Sequence, residues 1–179
     1  MPRRTLFSGI AIAVLIGAYF VTKSMIRAHV DALIKGAVDR PLPAFALVDR
    51  DGRSWTLADL TGRRVVLHFF RSRCGSCDVE APAMRRLEQE LPQDVVMLHV
   101  MTDAVMDFAP ELTAATLQHK RFTRPVLMAD AAFMDAFHTV KWSQVTPITY
   151  VVDAAGVVRF GLRGGQDESS VQRALAAVR

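Results

Sequence analysis

The only two cysteines of the chain, Cys74 and Cys77, are separated by two residues in the stretch "HFFRSRCGSCDVEAP" (68–82). Such a pair can exchange disulfides, bind a metal ion or stabilise the fold as a structural disulfide. A disulfide across so short a loop adds little stability by loop entropy. Structural zinc needs a second pair or two histidines at ligand spacing, and the sequence has neither. The pair therefore favours redox chemistry.

The residues around the pair predict that it lies where a strand meets a helix. The run "RVVLHFF" (64–70) is nearly all apolar, as expected of a strand buried on both faces. Apolar residues then recur at the spacing of an amphipathic helix, at Val79, Met84, Leu87 and Leu91. The first sulfur would sit at the helix N-terminus, where unpaired N–H groups and the helix dipole favour a thiolate. We therefore expect Cys74 to be the attacking nucleophile and Cys77 the resolving thiol.

Two arginines, Arg71 and Arg73, precede the pair. Their positive charge would lower the pKa of Cys74 further if both lie close to its sulfur. The alternative is that both are exposed loop residues without a role in the chemistry.

The N-terminal segment has the length and composition of a membrane anchor. Residues 5–22 carry no charge, and as a helix they would extend roughly 27 Å, close to the thickness of the hydrocarbon core. Lys23 and Arg27 follow without a convincing cleavage site, which favours an uncleaved anchor over residues 1–22 rather than a cleaved signal peptide. Basic residues after the anchor outnumber those before it, so the positive-inside rule gives no support for an outward-facing domain.

Three segments follow from this pattern. After the anchor, residues 23–40 resemble a polar, partly helical stalk, and "RPLP" (40–43) breaks any helix there. We place one globular domain over residues 41–179. The net charge of +4 comes from scattered basic residues, and no recognition motif accompanies them, so we expect no nucleic-acid partner.

The pattern of the domain predicts an α/β fold with a mixed sheet. "AFALVDRDGRSWTL" (44–57) alternates around Asp51 and Gly52, a strong hairpin signal. Strands and helices then alternate, with a short helix expected over "AAFMDAFHTV" (131–140). "PITYVVDAAGVVRFGLRG" (147–164) predicts a second hairpin, and an amphipathic helix closes the chain.

These motifs together resemble the thioredoxin superfamily, and within it the TlpA/ResA-like group of membrane-anchored thiol–disulfide oxidoreductases. "PAFALVDRDGRSWTLADLTGRRVVLHFF" (43–70) is similar to the entry hairpin and first buried strand of that group. "CGSCDVEAP" (74–82) resembles its C-x-x-C-x-x-E-x-P motif, and "TPITYVVDAAGVVRF" (146–160) its proline, strand and D-x-x-G ending. The resemblance implies a thioredoxin-like mixed β-sheet flanked by helices, preceded by an N-terminal β-hairpin and a single transmembrane helix.

The resemblance also implies roles for individual residues. Cys74 matches the exposed nucleophile of the group and Cys77 its buried partner. Pro147 matches the loop proline that is cis in the superfamily, and Thr146 would offer its backbone to a bound peptide. Glu80 matches an acid near the cysteines that could accept the proton of Cys77; the alternative is a first-turn surface glutamate stabilised by the helix dipole.

Two departures from the group concern the site. Arg73 stands where the group usually has tryptophan, and because that position serves partner recognition, we count Arg73 with the substrate-binding residues. His68 stands where thioredoxins carry a buried aspartate. Burial would disfavour its charged form, and the ring could relay a proton to or from Cys77; the alternative is a histidine that only packs in the core.

The expected function is therefore that of a membrane-tethered thiol–disulfide oxidoreductase in the periplasm or an equivalent outer compartment, without a cofactor. The resemblance implies protein substrates, such as apocytochrome c or metal-site assembly proteins, and a membrane electron donor. A second hypothesis is a copper-binding metallochaperone, although such relatives usually space their cysteines by three residues. A peroxidase of the peroxiredoxin kind would need threonine and proline where Arg71 and Leu67 stand.

Overall fold

The computed structural model describes residues 3–137 and 145–178, without the side chains of residues 3–10. It divides the chain into two compact units, the first ending at Leu33 and the second beginning at Ile34. The first element is one long helix, α1 (Arg3–Ala37), which continues without a break past residue 22. By length and composition, its part Ala11–Ala37 could cross a membrane.

A small β-hairpin opens the second unit, as the sequence predicts. Strands β1 (Ala46–Val48) and β2 (Ser54–Thr56) pair antiparallel, and Gly52 in the turn has a φ of 85°, which glycine adopts without strain. The carboxylate of Asp49 accepts a hydrogen bond of 2.9 Å from the indole N–H of Trp55. Burial raises the pKa of Asp49, but this bond and backbone N–H groups of the turn outweigh it and lower the pKa.

A five-stranded mixed sheet forms the centre of the second unit, in the strand order β5–β4–β3–β6–β7. Strands β3, β4 and β5 are parallel, whereas β6 and β7 form an antiparallel hairpin. The three central strands β4, β3 and β6 are buried almost throughout, which explains their continuous apolar runs. The strands are β3 (Arg64–Phe70), β4 (Val95–Met101), β5 (Val126–Met128), β6 (Ile148–Val152) and β7 (Val158–Arg163).

Four further helices and two short 3₁₀ turns complete the described part of the fold. The helices are α2 (Gly75–Glu90), α3 (Pro110–Lys120), α4 (Ala131–Phe137) and α5 (Glu168–Ala177). The 3₁₀ turns are Leu57–Leu60 and Asp103–Met106. The predicted helix over 131–140 is confirmed as far as Phe137, and its last three residues lie outside the described ones. The α/β fold with a mixed sheet is therefore confirmed.

The buried face of α2 differs from the predicted one at Val79. That side chain is 83% exposed, because it lies two residues beyond the buried Cys77 and so about 200° around the helix axis. The buried face instead includes two glutamates. Its members are Cys77, Glu80, Ala81, Ala83, Met84, Leu87 and Glu88. The prediction that Val79 packs in the core is wrong.

Candidate active site

The two cysteines form a disulfide at the start of α2. Cys74 is the N-cap residue of this helix, and its sulfur accepts a hydrogen bond of 3.2 Å from the backbone N–H of Cys77. That N–H belongs to the first helical turn, where N–H groups have no partner within the helix. The predicted position of the first sulfur, between a buried strand and a helix N-terminus, is confirmed.

Both cysteines are buried in this disulfide form. The exposed fraction is 5% for Cys74 and 1% for Cys77, so the expected exposure of Cys74 is wrong here. Its sulfur is covered by the segment before β6, with the carbonyl oxygen of Thr146 at 3.7 Å and the Thr146 hydroxyl at 3.5 Å. The hydroxyl of Ser76 lies 3.6 Å away on another side. Thr146 therefore covers part of the Cys74 sulfur.

The sheet topology explains why Thr146 and Pro147 lie beside the disulfide. Strand β6 is antiparallel to β3, with Ile148 opposite Phe69. The start of β6 therefore lies next to the end of β3, which leads into the cysteine loop. The peptide bond between Thr146 and Pro147 is cis, as the resemblance implies.

A buried carboxylate holds the loop that precedes Cys74. Asp103 follows β4 and is fully buried. One oxygen accepts the backbone N–H of Ser72 at 2.7 Å, and the other accepts the hydroxyls of Ser72 and Thr113, the latter at 2.9 Å. Because parallel β3 and β4 end side by side, Asp103 ties the loop after one strand to the end of the other. The sequence analysis missed this residue, and the only signal was its position directly after a buried strand.

The two arginines before the pair occupy different surroundings. Arg73 is exposed, has a φ of 51°, and places its guanidinium 5.8 Å from the ring centre of Phe108. Arg71 is half-buried and donates to the carbonyl oxygens of Ser72 and Arg73 at 3.1 and 3.3 Å. Both therefore stay close to the cysteine loop, and their effect on the pKa of Cys74 remains a prediction.

Glu80 and His68 contact each other in the interior of the site. Glu80 lies three residues after Cys77 on the same face of α2. One carboxylate oxygen is 3.1 Å from Nε2 of His68, and the other accepts the backbone N–H of Gln166 at 2.9 Å. Both side chains are buried, so the alternative of a surface glutamate is wrong.

Two residues that the sequence analysis did not connect to the site extend this contact. Nδ1 of His68 lies 2.8 Å from Nδ1 of His99, and Nε2 of His99 lies 2.7 Å from an oxygen of Glu88. Burial lowers the pKa of His99 to about 4. Burial also raises the pKa of Glu88, but hydrogen bonds from His99 and Thr123 outweigh it and lower the pKa. The sequence pattern that could have indicated this contact is one histidine in each of two predicted buried strands, together with two glutamates in the helix between them.

Comparison with known proteins agrees with this geometry. Residues 38–160 match the model of the AhpC/TSA family. The thioredoxin-like protein YneN of Bacillus subtilis is 25% identical over 117 residues, which are 65% of this chain and 66% of that protein. The thiol:disulfide interchange protein DsbE of Pseudomonas aeruginosa is 28% identical over 144 residues, 78% of this chain and 73% of that protein.

A solved structure has the same fold. The crystal structure of a thiol:disulfide interchange protein of the thioredoxin family from Chlorobium tepidum superposes with a TM-score of 0.63 at 21% identity. The match covers 78% of this chain and 96% of that one. The fold is therefore thioredoxin-like.

Proposed function

Because the chain belongs to the AhpC/TSA family and has a thioredoxin-like fold, we propose that it is a thiol–disulfide oxidoreductase that reduces disulfides of protein targets outside the cytoplasm. The observation that supports this most is the Cys74–Cys77 disulfide at the N-terminus of α2, against the backbone of Thr146. Once reduced to two thiols, Cys74 and Cys77 can pass two electrons to a target disulfide and form their own disulfide again, without a cofactor.

The first step forms a mixed disulfide with the target. The Cys74 thiolate attacks one target sulfur, a Cys74–target bond forms, and the second target sulfur leaves as a thiolate that takes a proton. The N–H of Cys77, which points at the Cys74 sulfur from 3.2 Å, and the dipole of α2 favour the thiolate before the attack. Arg71 and Arg73 add positive charge to this loop.

The second step releases the reduced target. Cys77 loses its proton and attacks the Cys74 sulfur, so that the disulfide of the structure forms again and the first target sulfur leaves as a thiolate. In total the target gains two electrons and two protons. Glu80 lies on the same face of α2 as Cys77 and takes the proton of Cys77, with His68 on its far side.

Target recognition involves the segment that covers Cys74. Thr146 lies against the Cys74 sulfur, and with Pro147 it offers an extended backbone edge along which a target peptide binds. Arg73, exposed directly before the pair, favours targets with an acidic residue next to the disulfide. The three residues together define the substrate-binding surface.

The proposed location follows from α1 and from the relatives. The N-terminal helix contains an apolar segment long enough to cross a membrane, and a relative named as a thiol:disulfide interchange protein is 28% identical over 144 residues. We take residues 1–22 as the anchor in the cytoplasmic membrane, 23–40 as a stalk, and 41–179 as the domain in the periplasm or its equivalent. A membrane electron donor would then reduce the pair again, and apocytochrome c or metalloprotein assembly factors are the proposed targets.

Trapping of the mixed disulfide tests this function. The full chain in detergent, with Cys77→Ser, is mixed with a peptide that contains one disulfide. We expect a stable Cys74–peptide adduct, whereas Cys74→Ser gives little adduct because Cys74, and not Cys77, is the N-cap residue whose thiolate the helix N-terminus favours. The unaltered chain should release the reduced peptide. Equal adduct formation by both variants would contradict the assigned roles, and no adduct with either variant would remove the oxidoreductase proposal in favour of metal binding.

A further inference from the structure

Four buried titratable side chains form one line beneath α2, and we call them the buried relay. Two are glutamates of α2 and two are histidines of the sheet below, opposite each other in register on β3 and β4. Their contacts measure 3.1, 2.8 and 2.7 Å in order. The relay is Glu80, His68, His99 and Glu88.

The contact between the two rings fixes the number of protons in the relay. A hydrogen bond holds one proton, so three contacts require three. Neutral imidazoles at His68 and His99 would supply one each, so that one of the three contacts would lack a proton and two lone pairs would face each other there. A third proton therefore lies on the relay, and the two carboxyl groups and two rings together carry a single negative charge.

With both rings neutral, as the relay requires, this negative charge lies on one of the two carboxyl groups. Because burial lowers the pKa of His99 to about 4, that ring is neutral at pH 7. Glu88 has a lowered pKa and accepts the N–H and the hydroxyl of Thr123 at 3.0 and 2.6 Å. The donors around Glu88 favour the charge at that end, and the relay places the third proton in the contact between Glu80 and His68.

The far end of the relay is the one close to solvent. Thr123 is exposed, and its hydroxyl contacts Glu88. Glu80 and Glu88 are eight residues apart on α2, so the two ends are separated by about 12 Å along the helix. The near end shares a helix face with Cys77.

We propose that the buried relay carries the proton of Cys77 from Glu80 to Glu88 in the resolving step of the proposed function, on which this inference rests. Cys77 gives its proton to Glu80 as the proton of Glu80 passes to His68. The Nδ1 proton of His68 passes to His99, and the Nε2 proton of His99 passes to Glu88. In each hydrogen bond of the relay the donor and the acceptor exchange roles, and no ring gains a net charge. Glu88 then loses its proton to solvent past Thr123.

Other groups that face the relay are compatible with this direction. Arg50, which follows β1, disfavours a positive charge on His99. The ring of Phe122 stacks on His99 with centres 3.8 Å apart, which excludes water from that side. Arg124 donates to the backbone oxygen of Glu88 at 2.9 Å, and its positive charge favours an ionised carboxylate at this end.

A substitution at the far end tests the relay. In Glu88→Gln, we expect the amide oxygen to take the position that accepts both donors of Thr123, at 3.0 and 2.6 Å, rather than the one that faces His99 and lies 3.2 Å from the Thr123 N–H. The amide NH₂ then donates to His99. In that arrangement each hydrogen bond of the buried relay runs in the opposite direction, and the negative charge lies on Glu80, on the same helix face as Cys77. Since a nearby like charge raises the pKa of a thiol, we expect about a tenfold lower thiolate fraction of Cys77 at neutral pH. The readout is the ¹³Cβ shift of both labelled cysteines against pH, in the reduced full chain in detergent.

The control is Glu90→Gln, which makes the same chemical change at an exposed position of α2 and should leave the titration of Cys77 unchanged. If Glu88→Gln gives the same titration as Glu90→Gln, while the unaltered chain still reduces the peptide disulfide, the relay is wrong and the proposed function stands. If the chain does not exchange disulfides at all, the proposed function fails first.

A measurement without substitution covers the case in which Glu88→Gln does not fold. Side-chain ¹⁵N NMR of the unaltered chain should give one proton resonance coupled to the Nδ1 nuclei of both His68 and His99. Two rings protonated only at Nε2 would show that the third proton is absent, and the relay would then be refuted.

Discussion

Replacement of Glu80 by glutamine removes the proton acceptor that we assign to Cys77 and changes little else. The amide oxygen can accept the N–H of Gln166 in place of the carboxylate oxygen that does so at 2.9 Å. The amide NH₂ can donate to Nε2 of His68, which lies 3.1 Å from the other oxygen. Both hydrogen bonds are retained, each with a net value of about 1 kcal/mol, so we expect nearly unchanged folding stability.

The chemical step should change much more. A positioned general base contributes about 10²- to 10⁴-fold to a rate. Since hydroxide can still ionise Cys77, we take the lower end, a fall of about 100-fold, or about 2.7 kcal/mol in the barrier. Only the attack of Cys77 on the mixed disulfide should slow. The initial attack by Cys74 should not change, because the helix N-terminus and not Glu80 favours its thiolate.

A stopped-flow assay separates the two steps. The reduced full chain in detergent reacts with a dye-labelled disulfide peptide, and formation and decay of the mixed disulfide are followed in turn at pH 7. Glu90→Gln is the matched control on the same helix. A decay rate of Glu80→Gln within about twofold of the control would refute the role of Glu80, whereas an equal slowing of both steps would indicate a structural defect.

Three further predictions concern the surroundings of the pair. The double substitution Arg71→Ala and Arg73→Ala should raise the pKa of Cys74, measured by the pH dependence of its alkylation. An unchanged pKa would show that the two arginines do not affect the thiolate. Asp103→Ala should lower the free energy of unfolding by about 2–4 kcal/mol in urea, because two or more buried donors lose their acceptor, and a loss below about 0.5 kcal/mol would contradict that role. Folding stability should fall as the pH drops from about 6.5 towards 4. The reason is that His99, with its pKa lowered to about 4, stays neutral in the folded chain while the unfolded chain binds a proton. His99→Gln should weaken this pH dependence of stability, and an unchanged slope would contradict the prediction.

The backbone architecture follows from short-range patterns in the sequence. Asp51 and Gly52 mark the first hairpin, and the apolar run 64–70 marks β3, because turn chemistry and burial on both faces leave local signals. The Cys74–Cys77 spacing at a strand–helix junction predicts the disulfide position for the same reason.

Side-chain environments could not be predicted in the same way, because they depend on contacts between distant segments. The apolar side chain of Val79 suggests a core residue, and only the orientation of α2 on the sheet shows that it is exposed. Cys74 is covered by Thr146, 72 residues later in the chain. His99 and Glu88 become part of the site only through the register of β4 beside β3 and the packing of α2 above both strands.

The reduction potential of the Cys74–Cys77 pair tests the central claim most directly. The full chain in detergent is equilibrated in glutathione and dithiothreitol buffers, and the oxidised fraction is measured by trapping free thiols. As a dedicated reductant, the chain should give a value close to that of thioredoxin, roughly −270 mV. A value near roughly −120 mV, at the oxidising end of the superfamily, would make the chain a disulfide donor and contradict the proposed direction of electron flow.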